Sequence, residues 1–173
     1  MTGVQTCALP IFGVYGTTGR LEKSYRAYGN ELETEYNVIE AGMGLAKVKP
    51  QDFVGKAAYL KHRESEPAAI LCSATVDDHT SSSGEKRYML GREVILTPDK
   101  KIITDSHGRR SYVTSAGSAP SLGKHVLMTY LPPQHAKVGE KLLVEYLGDF
   151  YPITVVSTTS TPLFDSANER INS

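Results

Sequence analysis

Cysteine is nearly absent. The two present, Cys7 and Cys72, are too few for a disulfide framework or a four-ligand zinc site, and they fit a reducing compartment. An excess of either charge is absent as well. Nineteen basic side chains balance nineteen acidic ones, which removes the electrostatic drive toward nucleic acid or an anionic membrane and excludes a non-specific nucleic-acid binder. Long hydrophobic runs are missing too. AAIL at 68–71 and LLVEYL at 142–147 fall far short of the ~20 apolar residues that cross a bilayer. The five histidines, at 62, 79, 107, 125 and 135, make no H-x-x-H or H-E-x-x-H spacing and the cysteines no C-x-x-C, so no metal site is expected. No G-x-S-x-G elbow marks a serine nucleophile. What remains is an ordinary globular composition, 40% hydrophobic and 22% charged over 173 residues. That is enough for one domain, or for a small domain plus part of another.

The stretch MTGVQTCALPI at 1–11 lacks the basic start and long apolar centre of a signal peptide. It resembles the conceptual translation of a sequencing-library adapter, which would make Phe12 the first authentic residue and place further protein upstream. From Phe12 the chain divides near residue 66. Before that point, 12–33 is expected to start as a short helix or turn and to continue as a strand around Gly19–Tyr25. The segment 36–49 reads as loop, helical turn and strand, and 50–66 as a helix capped by Asp52 and stopped by Pro67. After it come seven short runs rich in Val, Ile, Thr and Tyr, at 68–76, 92–96, 101–105, 110–116, 125–131, 141–147 and 151–157. Turn signals such as SSSGEK, TPDKK and SHGRR separate them, and no segment of helical period intervenes. The fold class is therefore α+β: an α/β fragment at 12–66, then a small antiparallel β-barrel or sandwich at 67–173.

Few residues announce chemistry by themselves. Gly13, Gly16 and Gly19 make G-x-x-G-x-x-G, but a dinucleotide-binding turn needs an apolar strand before it and a helix after it, so they read as turn glycines. Asp77–Asp78–His79 reads as a solvated loop, and Cys72 as a small core residue of an apolar strand. The tyrosines stand out. Tyr15, Tyr25, Tyr28 and Tyr36 fall in one short segment with Arg20, Glu22 and Arg26. Aromatic faces beside fixed charges suit a flat polar heterocycle, and they suit ordinary strand packing as well.

Those same residues carry a resemblance. RLEKSYRAYGNELETEYNVIEAGMG followed by KPQDFVGKAAYLKHR resembles the R-x-E-K-x-Y-R…EAG-x-G…DF-[IV]-G-[KR] pattern of the dimethylglycine and sarcosine dehydrogenase group, much of it shared with the glycine-cleavage T-protein, an aminomethyltransferase. YVTSAGSAPSLGKHVLMTYLPP and the chain end YPITVVSTTSTPLFDSANERI resemble later blocks of the same families, so the likeness runs in order from about residue 12 to 171. It implies a T-protein-like folate-binding fragment at 12–66 followed by the family's C-terminal barrel. It also implies tetrahydrofolate as cofactor, with FAD in an N-terminal domain not included in this chain, and a small N-methyl amine as substrate. In the family pattern the tyrosine of R-L-E-x-x-Y lines the folate site, here Tyr25, with Arg20, Glu22 and Tyr28 in the same motif. The family's catalytic acid lies upstream of these residues, so none is assigned here and the chain alone is expected to be inactive. Lys23 favours the dehydrogenase branch, whereas Tyr15–Gly16 stand where T-proteins carry an arginine. The other implied readings are a fragment of the aminomethyltransferase and a non-catalytic scaffold of the same fold. The implied location is bacterial cytoplasm or mitochondrial matrix. The N-terminal segment is expected to pack on the barrel through Tyr- and Leu-bearing faces and to leave an unpaired edge.

Overall fold

The computed structural model describes residues 14–44, 47–159 and 161–172. The leader at 1–11, Cys7 and Gly13 lie outside them. Six strands form one antiparallel sheet: β1 (Ile70–Val76), β2 (Ile95–Leu96), β3 (Val113–Ala119), β4 (Lys124–Leu131), β5 (Lys141–Tyr146) and β6 (Asp149–Thr158). Their order is β2-β5-β6-β1-β4-β3. The two ends of that order meet. Val94, just before β2, bridges Tyr112, just before β3, and the Ile95 amide donates to the Ser111 carbonyl at 3.0 Å. The sheet thereby curls into a small barrel joined at this seam, while Ser115–Ala119 of β3 pair with β4 alone. The run at 101–105 forms only isolated bridges, Leu96 with Ile102 and Thr104 with Arg110, because the chain there turns back within a few residues.

Burial explains why some runs read as unbroken hydrophobic segments and others as alternating ones. In β4, Leu127 and Leu131 point into the barrel with Val113, Ile153 and Val155. The intervening Val126, Met128 and Tyr130 face outward, yet they are buried under the N-terminal segment with Leu21 and Tyr36. β1 is divided in the same way, with Cys72 and Ala74 inside and Leu71 outside. A strand covered on both faces is buried at nearly every position, and polar members such as Ser73 and Thr129 are hydrogen-bonded. β6, covered on one face, alternates buried with less buried residues.

The N-terminal segment differs from expectation. The helix or turn expected at the start of 12–33 is a π-helical turn (Val14–Thr18), but where a strand was expected around Gly19–Tyr25 a short helix follows, α1 (Gly19–Glu22). Helical backbone is required because Leu21, fully buried, must reach the outer face of β3, where a Cβ on Gly117 would stand 2.8 Å from its Cδ1. No strand forms at 47–49. The helix expected over 50–66 is confined to α2 (Lys56–Glu64). Its N-cap is Gly55, with a φ of 86° that glycine accepts without strain, and Asp52 makes no cap. The last turn carries Lys61, His62 and Arg63, which suits the negative end of the helix dipole. None of its residues is fully buried, and its side chains touch the body only at the surface, as where His62 meets Asn37 at 3.5 Å. A last short helix, α3 (Glu169–Asn172), follows β6.

Candidate functional site

The segment 14–44 lies across the outer faces of β1, β3 and β4, and polar clamps hold it there. The first is centred on Glu31, fully buried. One of its carboxylate oxygens, Oε2, accepts from Arg20 Nη1 at 3.1 Å and from the Ala27 amide at 3.0 Å. The other, Oε1, accepts from Thr114 Oγ1 at 2.7 Å and Ser115 Oγ at 2.5 Å, both on β3. Arg20 spreads its fork further, donating to the Tyr25 carbonyl at 3.3 Å and to Ser115 Oγ at 2.7 Å. Tyr130 Oη donates to the Glu31 carbonyl at 2.8 Å. A buried carboxylate is tolerable when its lone pairs are satisfied in this way.

The second clamp is centred on Glu40. Its carboxylate accepts from the Asn37 amide at 2.9 Å and from the Ala69 amide, beside β1, at 3.2 Å. It also pairs with Arg109, whose Nε donates to Asp105 at 2.7 Å. Burial works against the Arg109 charge, and the hydrogen bonds to Glu40 and Asp105 overcome it, so its pKa rises above the ordinary value. The guanidinium lies 4.3 Å above the Tyr36 ring, and Tyr36 stacks on Tyr130 with centroids 3.7 Å apart. Burial raises the hydroxyl pKa of both tyrosines, which stay neutral at physiological pH.

Against this frame the expected site residues separate into two pairs. Tyr25 and Tyr28 are exposed, by 56% and 92%, on the loop between α1 and Glu31. Tyr28 borders a shallow depression with Leu32, Glu33 and Tyr36. Arg20 and Glu22 face inward. Glu22 accepts from the Ser121 amide at 2.8 Å, and its own carbonyl accepts from the Leu163 amide at 2.8 Å, joining the chain end to α1. Both charged groups are occupied by the protein itself. Tyr15 is described by its backbone alone, in the π-helical turn, while Tyr36 is a packing residue of the second clamp. Gly16 supplies a carbonyl to Arg20 Nε at 3.1 Å within a helical turn, which is not the strand–turn–helix of a dinucleotide site.

Sequence reasoning missed Glu31, Glu40, Arg109 and the Thr114–Ser115 pair. A glutamate in an otherwise polar stretch carries no sign that it will be buried, since two of its donors lie more than 80 residues away in β3. Cys72 is a core residue, its thiol pushed up to about 12 by burial. Among the described residues no group of three or more His, Cys, Asp or Glu stands close enough to hold a metal ion, and no helix is long and apolar enough to cross a membrane.

A small closed antiparallel barrel, with a polar-clamped flap bearing exposed tyrosines, defines the structural class. The family model of the glycine cleavage T-protein C-terminal barrel domain matches residues 87–165. Dimethylglycine dehydrogenase of Mus musculus is 33% identical over 84% of this chain and 15% of its own length. An aminomethyltransferase of Streptomyces coelicolor is 32% identical over 81% of this chain and 35% of its own length. The aminomethyltransferase T structure from Bartonella henselae superposes with a TM-score of 0.63 at 23% identity, covering 80% of this chain and 36% of that one, which shows the shared fold. The chain is homologous to the C-terminal regions of dimethylglycine dehydrogenases and aminomethyltransferases. It spans about a sixth of the dehydrogenase and about a third of the aminomethyltransferases it matches.

Proposed function

We propose that this chain is the C-terminal part of a folate-dependent one-carbon enzyme, in which residues 12–66 complete a folate-binding domain and 67–173 form the barrel beside it. The observation that carries the reading is the loop of Tyr25 and Tyr28. Two exposed aromatic rings are held on a backbone pinned to the barrel by Arg20 and Glu31. An exposed ring on a rigid mount is what stacking on a flat pteridine requires. The residues present fit that cofactor in part. Tyr25 and Tyr28 can offer faces, while the Arg20 and Glu22 charges are spent inside the protein and support the loop from behind. Bound tetrahydrofolate would supply the acceptor for a one-carbon unit. This chain's contribution is to orient it, so that transfer becomes a local event instead of a bimolecular encounter.

The finer assignment is an N-methylamine dehydrogenase of the dimethylglycine or sarcosine type, with FAD and the catalytic acid in preceding domains, working in the bacterial cytoplasm or the mitochondrial matrix. Lys23 within R-L-E-K-S-Y-R supports that branch. The second reading, a glycine-cleavage aminomethyltransferase, rests on a nearly equal identity to that family. The coding sequence upstream of Phe12 separates them: a flavin-binding domain for the first, none for the second. Tetrahydrofolate titration of the longest reading frame that carries this chain tests both. Saturable binding that is lost in Tyr25→Ala is the expected result. No saturable binding would return the fold to the role of a scaffold. The 173-residue chain alone is expected to form no methylenetetrahydrofolate from a methylated amine, and detectable product from it would overturn the assignment of catalysis to preceding domains.

A further inference from the structure

We infer that Glu31, which carries no catalytic or ligand-touching position, is a positioning residue for the tyrosine loop, transmitting the geometry of β3 to Tyr25; this rests on the folate reading above. The chain of contacts is short and continuous. Ser115, on β3, donates to Glu31 Oε1 and accepts from Arg20 Nη2. Glu31 Oε2 accepts from Arg20 Nη1 and from the Ala27 amide, two residues beyond Tyr25. Arg20 Nη1 also donates to the Tyr25 carbonyl, and the Tyr25 amide donates back to the Arg20 carbonyl at 2.8 Å. The loop is thus held on both sides of Tyr25 by one buried ion pair. Ser24, next to Tyr25, has a φ of 54°, a left-handed backbone that a non-glycine residue keeps only where its surroundings enforce it. Its hydroxyl donates to the Thr161 carbonyl at 3.0 Å, a second anchor on the same turn.

The arrangement differs from that of a structural brace in where its hydrogen bonds end. A brace needs to join two elements. Here Arg20 and Glu31 also bond the backbone on either side of Tyr25, whose side chain is 56% exposed. Precision of a mount matters when a ring must meet a ligand, since displacement of a positioning group by about an ångström can cost on the order of a hundredfold.

The test is tetrahydrofolate affinity in the longest reading frame carrying this chain, measured well below each variant's unfolding midpoint. Glu31→Gln, Ser115→Ala and Tyr25→Ala are compared with a barrel-core control, Val155→Ala, which lowers stability without touching the loop. Glu31→Gln is expected to weaken binding about tenfold and Ser115→Ala about threefold, while Val155→Ala leaves the dissociation constant unchanged. Should Glu31→Gln fail to fold, Ser115→Ala, which removes a single hydroxyl, decides the matter. If wild type binds, Tyr25→Ala loses binding and Ser115→Ala and folded Glu31→Gln bind as wild type, the positioning role is overturned and the folate reading stands. Weakening in Val155→Ala equal to that in Ser115→Ala also overturns it, because loss of stability alone would then account for the effect. A wild type without saturable binding overturns the folate reading and this inference with it.

Discussion

The barrel and the segment laid over it are held by different physics. The barrel interior is filled by apolar side chains such as Leu127, Leu131, Ile153 and Val155, all fully buried. That force is proportional to area and largely indifferent to direction. The segment 14–44 contributes some apolar cover through Leu21, Tyr36 and Ala41. Its register is set by three buried carboxylates, Glu22, Glu31 and Glu40, each of which accepts backbone or side-chain donors from beyond its own turn. Hydrogen bonds to buried charges are directional and are costly to leave unmade. The barrel is therefore expected to tolerate repacking, whereas the overlay should tolerate little change in polar chemistry.

Arg109→Ala should break this comparison most sharply. It leaves Glu40 and Asp105 buried without their cation, a loss of roughly 3–5 kcal/mol for a broken buried pair. Because the loss falls on the attachment, proteolysis within 14–44 should accelerate before the barrel melts. One coincident transition for both probes would mean that overlay and barrel form a single cooperative unit. Next comes Leu127→Ala, a cavity in the barrel, expected to cost about 2–5 kcal/mol in urea unfolding. It should show the same loss at low and high salt, since no charge is involved, and a strong salt dependence would contradict the apolar account of the core.

Acid should act on both regions in sequence. Burial lowers the His125 pKa, and its Nε2 meets the Met89 carbonyl at 3.0 Å. With the folded pKa depressed, the unfolded chain binds the proton more readily, so this contribution is fully present above about pH 6.5 and is lost as pH falls from there toward the folded value. Asp105 follows at lower pH. Burial opposes its charge, but hydrogen bonds from Arg109 and the His107 amide leave its pKa below the ordinary carboxylate value. Its contribution is present above about pH 3.9 and lost as pH drops through the depressed value, loosening the second clamp. Thermal midpoints between pH 7 and pH 3 check the order, and His125→Asn should flatten only the first step. The smallest effect is expected in α2. Ala58→Gly should weaken that helix by about 1 kcal/mol locally, yet move the barrel midpoint by less than about 0.5 kcal/mol, because α2 buries none of its residues. A drop as large as that of Leu127→Ala would mean α2 packs on the barrel in solution.

Much of the barrel was legible in advance. Alternation in YPITVVS and turn signals such as SSSGEK located β6 and the loop after β1, since period-two patterning follows directly from which face is buried. The overlay was legible in its motif and illegible in its shape. RLEKSYR was expected as strand and is helical up to Glu22, because a four-residue helix is decided by what Leu21 must reach and carries no periodic signal of its own. Tyr25 and Tyr28 were named as site candidates through the family motif, since their types and spacing suited strand packing as well. Their exposure, and the inward turn of Arg20 and Glu22, depend on partners at 115 and 121.

The amino-acid order alone determined the α+β class, the antiparallel barrel and the family likeness, because each is written in local composition, short-range period or motif. Tertiary structure decided the rest: that β1 and β4 are covered on both faces, that the sheet closes through Val94 and Tyr112, and that Glu31 and Glu40 are buried. A carboxylate's role depends on which donors arrive beside it, and the decisive ones here, Thr114 and Ser115 for Glu31 and Arg109 for Glu40, lie far along the chain.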